Sequence, residues 1–231
     1  GAGIGARRES SFTTAVDTLI VSNVASDDGG GMWLSSSSSA TLRGDILNNT
    51  ATNGGGVMIE GIADEDNDFD SLSRFEDPSA VEVKLLGIAL SGNTASDDGG
   101  GLSATPASQG ATTAVIITEG TRVISNKAAH GGGIHMSSML EDYQGVGEQV
   151  TIEIADDCVI AKNVAGLRGG GVYAEGYFGA SCVISDSVSI NGNSAASSDE
   201  DTSTEGGGVY VKGSQVVATS MNMTVEADVT L

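Results

Sequence analysis

Asn23-Val24-Ala25-Ser26-Asp27-Asp28-Gly29-Gly30-Gly31-Met32 is the first copy of a block that recurs along the chain. The block is Asn-x-Ala, a short spacer, Gly-Gly-Gly and an apolar residue. It returns at Asn49 with Gly55, at Asn93 with Gly100, at Asn126 with Gly132, at Asn163 with Gly170 and at Asn193 with Gly207, where each glycine named is the middle one of its triplet. Successive repeat asparagines are 26, 44, 33, 37 and 30 residues apart. Self-similarity at such spacings is the mark of a stacked repeat architecture, in which no single unit can bury its apolar face alone.

Outward from the block, each repeat divides into three short strand signals. One follows the glycines, as in Met32-Trp33-Leu34 and Val172-Tyr173-Ala174. A second follows a variable insertion, as in Val81-Glu82-Val83 and Thr151-Ile152-Glu153-Ile154. The third ends three residues before the repeat asparagine, where Ile20, Ile46, Leu90, Val123, Ile160 and Ile190 stand in an apolar-x-x-Asn frame. Period-two alternation in these runs predicts strands with one buried face. Three strands and three turns per repeat predict an all-β, right-handed, single-stranded parallel β-helix: a three-sided solenoid of about seven coils with insertion loops along one edge. The repeats run from end to end, so residues 1–231 are read as one domain.

The chain resembles the chlamydial polymorphic outer-membrane-protein repeat, which couples Phe-x-x-Asn to Gly-Gly-Ala-Ile. Nearly the whole chain takes part in the likeness, with Ile, Leu or Val in place of Phe and a third Gly in place of Ala. The resemblance implies a β-helix passenger of a secreted surface protein or adhesin, and it brings no catalytic residues.

The repeated residue types have structural readings. A turn between sheets needs φ > 0 or a close backbone approach, and Gly30, Gly55, Gly100, Gly132, Gly170 and Gly207 are expected to supply these. Asn23, Asn49, Asn93, Asn126, Asn163 and Asn193 are expected at a turn that tolerates left-handed geometry, with their amides stacked in a ladder. The middle residues of the post-glycine strands are Trp33, Met58, Ser103, His135, Tyr173 and Tyr210. By strand alternation they point outward as a column. That column is either a lateral contact surface for a partner chain or sugar rings, or a satellite core beneath the insertion loops.

Other candidates are few. Asp64, Asp66, Asp68 and Asp70 alternate in a loop that can wrap oxygen ligands around Ca²⁺, or simply be solvated; Phe69 takes the place of the required EF-hand glycine. No other cofactor is expected. Cys158 and Cys182 are 24 residues apart, about one coil, and form either a disulfide or two buried thiols. Asn48 and Asn222 fit the N-glycosylation pattern at the frequency chance allows. Asp27-Asp28 and Asp97-Asp98 occupy equivalent turns and read as solvated residues. His130 and His135 flank one glycine block without an evident third metal ligand. The glycine triplets are not phosphate loops, because no Gly-Lys-Ser/Thr follows.

A net charge of −21 disfavours nucleic acid and anionic membranes as partners. No stretch is long and apolar enough for a membrane span. The first residues carry no apolar leader segment. The expected role is a non-catalytic extracellular or cell-surface rod, adhesive or filament-forming. It would self-associate axially or laterally, or meet other surface proteins and glycans. The alternative is a polysaccharide-active lyase or hydrolase on the same scaffold. The ends match incomplete repeats, which suggests a section of a longer array.

Overall fold

The computed structural model describes residues 3–7, 10–35, 38–61, 80–106, 112–138, 149–176, 180–185, 187–196, 205–213 and 222–225. Among them every element is a strand and every pairing is parallel, in sheets of seven, six, five and seven strands. No helix among the described residues is long and apolar enough to cross a membrane.

The first sheet collects the strands that follow the glycines. It runs Ile4–Ala6, Met32–Ser35, Val57–Gly61, Leu102–Pro106, Ile134–Ser138, Val172–Gly176 and Val209–Gly213. The second collects the strands after the insertions, among them Ala80–Leu86, Thr112–Thr118, Gln149–Ile154 and Ala180–Ile184. The third holds the apolar-x-x-Asn strands, from Leu19–Val21 to Ser189–Asn191. Three strands per repeat were expected, and there is a fourth. Thr50–Ala51, Thr94–Ala95, Lys127–His130, Val164–Arg168 and Ser194–Ala195 form a short sheet of their own at the Asn-x-Ala segment. Three of its five members are only two residues long, too brief to show alternation in sequence, and the stacking of repeats creates the sheet.

In the second sheet register follows the repeat without drift. Val83, Val115, Ile152 and Cys182 pair in succession, all buried. A slip of one residue would carry Glu82, Lys84 and Glu153 into that row, so the alternation itself fixes the pairing. The core is a stack of fully buried aliphatics that includes Leu34, Ile59, Leu85, Leu90, Ile117 and Ile134. Each stabilises the fold by roughly 1.5–3 kcal/mol. At the fourth sheet the inward residue is Ala51, Ala95, Ala128 or Ala165, all buried, where a larger side chain would strike the corner.

Stretches 62–79, 107–111 and 139–148 each join the first sheet to the second and lie outside the described residues, as does the acidic motif of Asp64, Asp66, Asp68 and Asp70. The disulfide reading of the cysteines does not hold. Cys158 and Cys182 are both free and buried. Cys182 pairs in register with Ile152, whereas Cys158 lies just before the third-sheet strand Val159–Ala161 and its thiol donates to the Ile117 carbonyl. Spacing by one repeat placed them on different sheets. Burial pushes the Cys158 thiol up to about 11 and the Cys182 thiol up to about 12, so both behave as small core hydrophobes.

Candidate functional site

The repeat asparagines build a buried column. Each Oδ1 accepts two bonds from the preceding repeat's asparagine. Asn93 Oδ1 takes the Asn49 N–H at 2.9 Å and Asn49 Nδ2 at 3.0 Å, and Asn126 Oδ1 takes the Asn93 N–H at 2.9 Å and Asn93 Nδ2 at 3.1 Å. Each Nδ2 also donates to the apolar residue of the previous repeat's frame: Asn49 to Ile20, Asn93 to Ile46, Asn126 to Leu90, Asn163 to Val123 and Asn193 to Ile160. The apolar-x-x-Asn frame therefore pairs a core side chain with the carbonyl that the next asparagine caps. Left-handed geometry was expected at these asparagines and falls one residue earlier, at Ser22, Asn48, Gly92, Ser125, Lys162 and Gly192. That turn is what aims the next amide inward.

The glycine triplet also divides its labour differently from the expectation. The first glycine takes the positive φ, as at Gly99 and Gly169. The middle one is needed for close approach: a Cβ on Gly132 would lie 2.5 Å from the Val164 carbonyl oxygen and 2.7 Å from that of Gly170.

The left-handed first glycine bends the spacer back over the middle residue of the strand that follows. A Cβ on Gly99 would stand 2.7 Å from Ser103 Cβ, and one on Gly169 would stand 2.7 Å from Tyr173 Cβ. Trp33, Met58, Ser103, His135, Tyr173 and Tyr210 do form a column in register. Met58, Ser103, His135 and Tyr173 are buried and Trp33 and Tyr210 are partly exposed, so most of the column is covered. His135 stacks on Tyr173 with centroids 5.1 Å apart, and Tyr173 stacks on Tyr210 at 5.3 Å. The Tyr173 hydroxyl donates to Glu175, and burial together with that carboxylate raises its pKa well above the ordinary tyrosine range. At the other end Arg7 lies over Trp33 at 4.9 Å, and Trp33 Nε1 donates to Glu60 at 3.3 Å. Burial and the charge of Asp28 raise Glu60.

A second column runs beside the first, made of the residues just before each glycine triplet. Asp28 bridges to Asn53, Asp98 to His130, and Arg168 to Glu205, while His130 pairs with Arg168 across a bulge. The bulge has a sequence cause. The two-residue spacer Ala129-His130 sits against the three-residue spacer Gly166-Leu167-Arg168. On its other side Ala129-His130 faces the three-residue spacer Ser96-Asp97-Asp98, and both the Ala129 and His130 N–H groups donate to the Asp97 carbonyl. Bulges of this kind re-aim side chains.

Where the columns meet, four titratable groups converge. His130 Nδ1 is 3.0 Å from Asp98 Oδ1 and 3.9 Å from Asp97 Oδ1. His135 Nε2 faces Asp98 Oδ2 at 3.6 Å, and its Nδ1 lies 3.2 Å from Ser103 Oγ. Burial would raise Asp98, but the His130 hydrogen bond and the two nearby imidazoles hold it below its ordinary value. The same hydrogen bond raises His130 against its partial burial. Burial lowers His135 despite the nearby Asp98 carboxylate. Ser103, His135 and Asp98 have the order of an acyl-transfer triad. Ser103 Oγ is shut away, however: the residue is 1% exposed.

Pairing of His130 with Asp98 was missed in sequence because 32 residues separate them. Alignment of the blocks on the asparagine also puts them out of step, since the spacers differ in length. Alignment on the first glycine puts both at the position before it. No family model, no curated protein and no solved structure matches this chain.

Proposed function

We propose that the chain is a right-handed parallel β-helix that serves as a rigid, non-catalytic rod of an extracellular or cell-surface protein. The reading rests on one observation: the strongest regularity, the asparagine column with its frame carbonyls, points inward and is spent on holding repeats together. The right-handed sense follows from the strong preference of parallel crossovers. The likeness to polymorphic outer-membrane-protein repeats supports a surface location, and the net charge of −21 suits a solvated exterior. Among the described residues most of the outer column is covered, and Trp33, Tyr210 and the exposed spacer acids are the groups open to partner proteins or glycans.

A second reading, a polysaccharide-active enzyme, draws on Arg168, which stands in register with His130 beside Asp97 and Asp98. Against it, the Arg168 guanidinium is engaged by Glu205 at 3.3 Å. Two measurements separate the readings. Immunogold labelling of intact source cells should place the chain outside the cell on thin rods. The purified chain should release neither reducing nor unsaturated ends from neutral or uronic-acid polymers. Interior labelling would overturn the rod, and polymer cleavage abolished by Arg168→Ala would establish the enzyme.

A further inference from the structure

We propose that Asp97, Asp98 and His130 bind one divalent transition ion of the zinc class, which clamps two successive repeats together. The three ligand atoms lie within 4.8 Å of one another. An ion held at about 2.0–2.2 Å from nitrogen and oxygen ligands fits between groups about 3–4 Å apart. The two measured separations to His130 Nδ1, 3.0 and 3.9 Å, are of that size. Asp97 is the exposed member, with 61% of its side chain open, and can swing to complete the set.

The backbone of the site is fixed before any ion arrives. The Asp97 N–H donates to the Thr52 carbonyl, the Asp98 carbonyl accepts from Gly54, and the His130 carbonyl accepts from Gly99. His135 is 3% exposed and has its Nε2 directed at Asp98 Oδ2 from 3.6 Å, longer than a hydrogen bond. With its Nδ1 side held by Ser103, the ring can only support Asp98 from behind, the place of an outer-shell partner that orients a ligand. On the far side Arg168 is in register with His130 and paired with Glu205, so it closes the cluster without occupying it.

The chain contains its own comparison. Asp27-Asp28 stands at the same place two repeats earlier, with the same three-residue spacer. There the facing residue is Asn53, whose Nδ2 donates to Asp28 Oδ1 at 2.9 Å, and the strand residue is Met58, not His135. An amide bonds Asp28 in that repeat. Only at Asp97-Asp98 do two imidazoles replace the amide and the thioether, and imidazole selects zinc-class ions over Ca²⁺ and Mg²⁺. Three protein ligands leave at least one position for water.

The chain has two histidines, so imidazole ligation has a unique address. Zn²⁺ titration is followed by calorimetry and by the imidazole ¹H–¹⁵N spectrum of the wild-type chain. At one equivalent the His130 ring resonances should shift and the thermal midpoint should rise, with about 1 mM Ca²⁺ producing neither effect. Asp98→Asn and His130→Gln should each weaken Zn²⁺ binding by more than about tenfold, while Asp28→Asn leaves it unchanged. If the His130 ring stays unshifted up to about 1 mM Zn²⁺, or if binding survives both substitutions, the site is refuted. If a variant fails to fold, the wild-type ring resonances decide alone. The outcome is independent of whether the chain is a rod.

Discussion

Asn126→Ala removes a central member of the asparagine column. The side chain makes four hydrogen bonds: it accepts from the Asn93 N–H and Asn93 Nδ2, and it donates to the Leu90 carbonyl and to Asn163 Oδ1. Asn93 Nδ2 keeps the Ile46 carbonyl, and Asn163 Oδ1 keeps the Asn126 N–H. What is lost is the acceptor of the buried Asn93 N–H and the side-chain donor to Leu90. The buried Asn93 N–H left unsatisfied costs ~1–3 kcal/mol, and the lost bond to the Leu90 carbonyl, which keeps its place in the parallel ladder, adds ~0.5–1.5 kcal/mol, so the two together cost ~1.5–4.5 kcal/mol. That is a large part of the ~5–15 kcal/mol that holds a domain folded. Asn23→Ala is the matched control, because Asn23 is partly exposed and its loss leaves Asn49 Oδ1 bound to the Asn23 N–H. That substitution should cost less than ~1 kcal/mol. Urea unfolding by circular dichroism measures both, and amide exchange at Asn93 reports the local opening. A cost below ~1 kcal/mol for Asn126→Ala, or an equal cost for Asn23→Ala, would refute the column as a source of stability.

Three further outcomes are expected. Gly132→Val should destabilise the stack by more than about 3 kcal/mol, because its Cβ meets backbone of the next repeat that cannot swing aside. Gly120→Ala, at φ +71 in open space, should cost only ~1–2 kcal/mol, and thermal unfolding of the two variants should keep that order. Glu60 has a folded pKa raised by burial and by Asp28, so its contribution is complete in acid, where the carboxyl is neutral in both states, and declines as pH rises through the folded value. Wild type should therefore lose stability relative to Glu60→Gln as pH rises above the ordinary glutamate range, and Trp33 fluorescence should titrate in the same window; a pH-independent difference would contradict the burial of Glu60. Finally, the two thiols should resist iodoacetamide in the native state, and dithiothreitol should leave the thermal midpoint unchanged; a drop on reduction would mean that they are bridged.

The repeated block and the strand periodicity were enough to determine parallel strands stacked repeat on repeat, because both are local patterns whose register is set by which side chains avoid water. The asparagine ladder was legible for the same reason: identical residues at one turn stack when the turns stack. Sequence could not say where the left-handed residues fall, since the residue before each asparagine is Ser, Asn, Gly or Lys, with no shared identity to mark it. Nor could it say that Ser103, His135 and Tyr173 are buried. Alternation gives the side of a sheet on which a residue lies, and only the backward bend at the first glycine decides that this side is covered. The cluster of Asp97, Asp98, His130 and His135 belongs to the tertiary structure alone. Its members come from two repeats whose spacers differ in length by one residue, a displacement that no periodicity along the chain records.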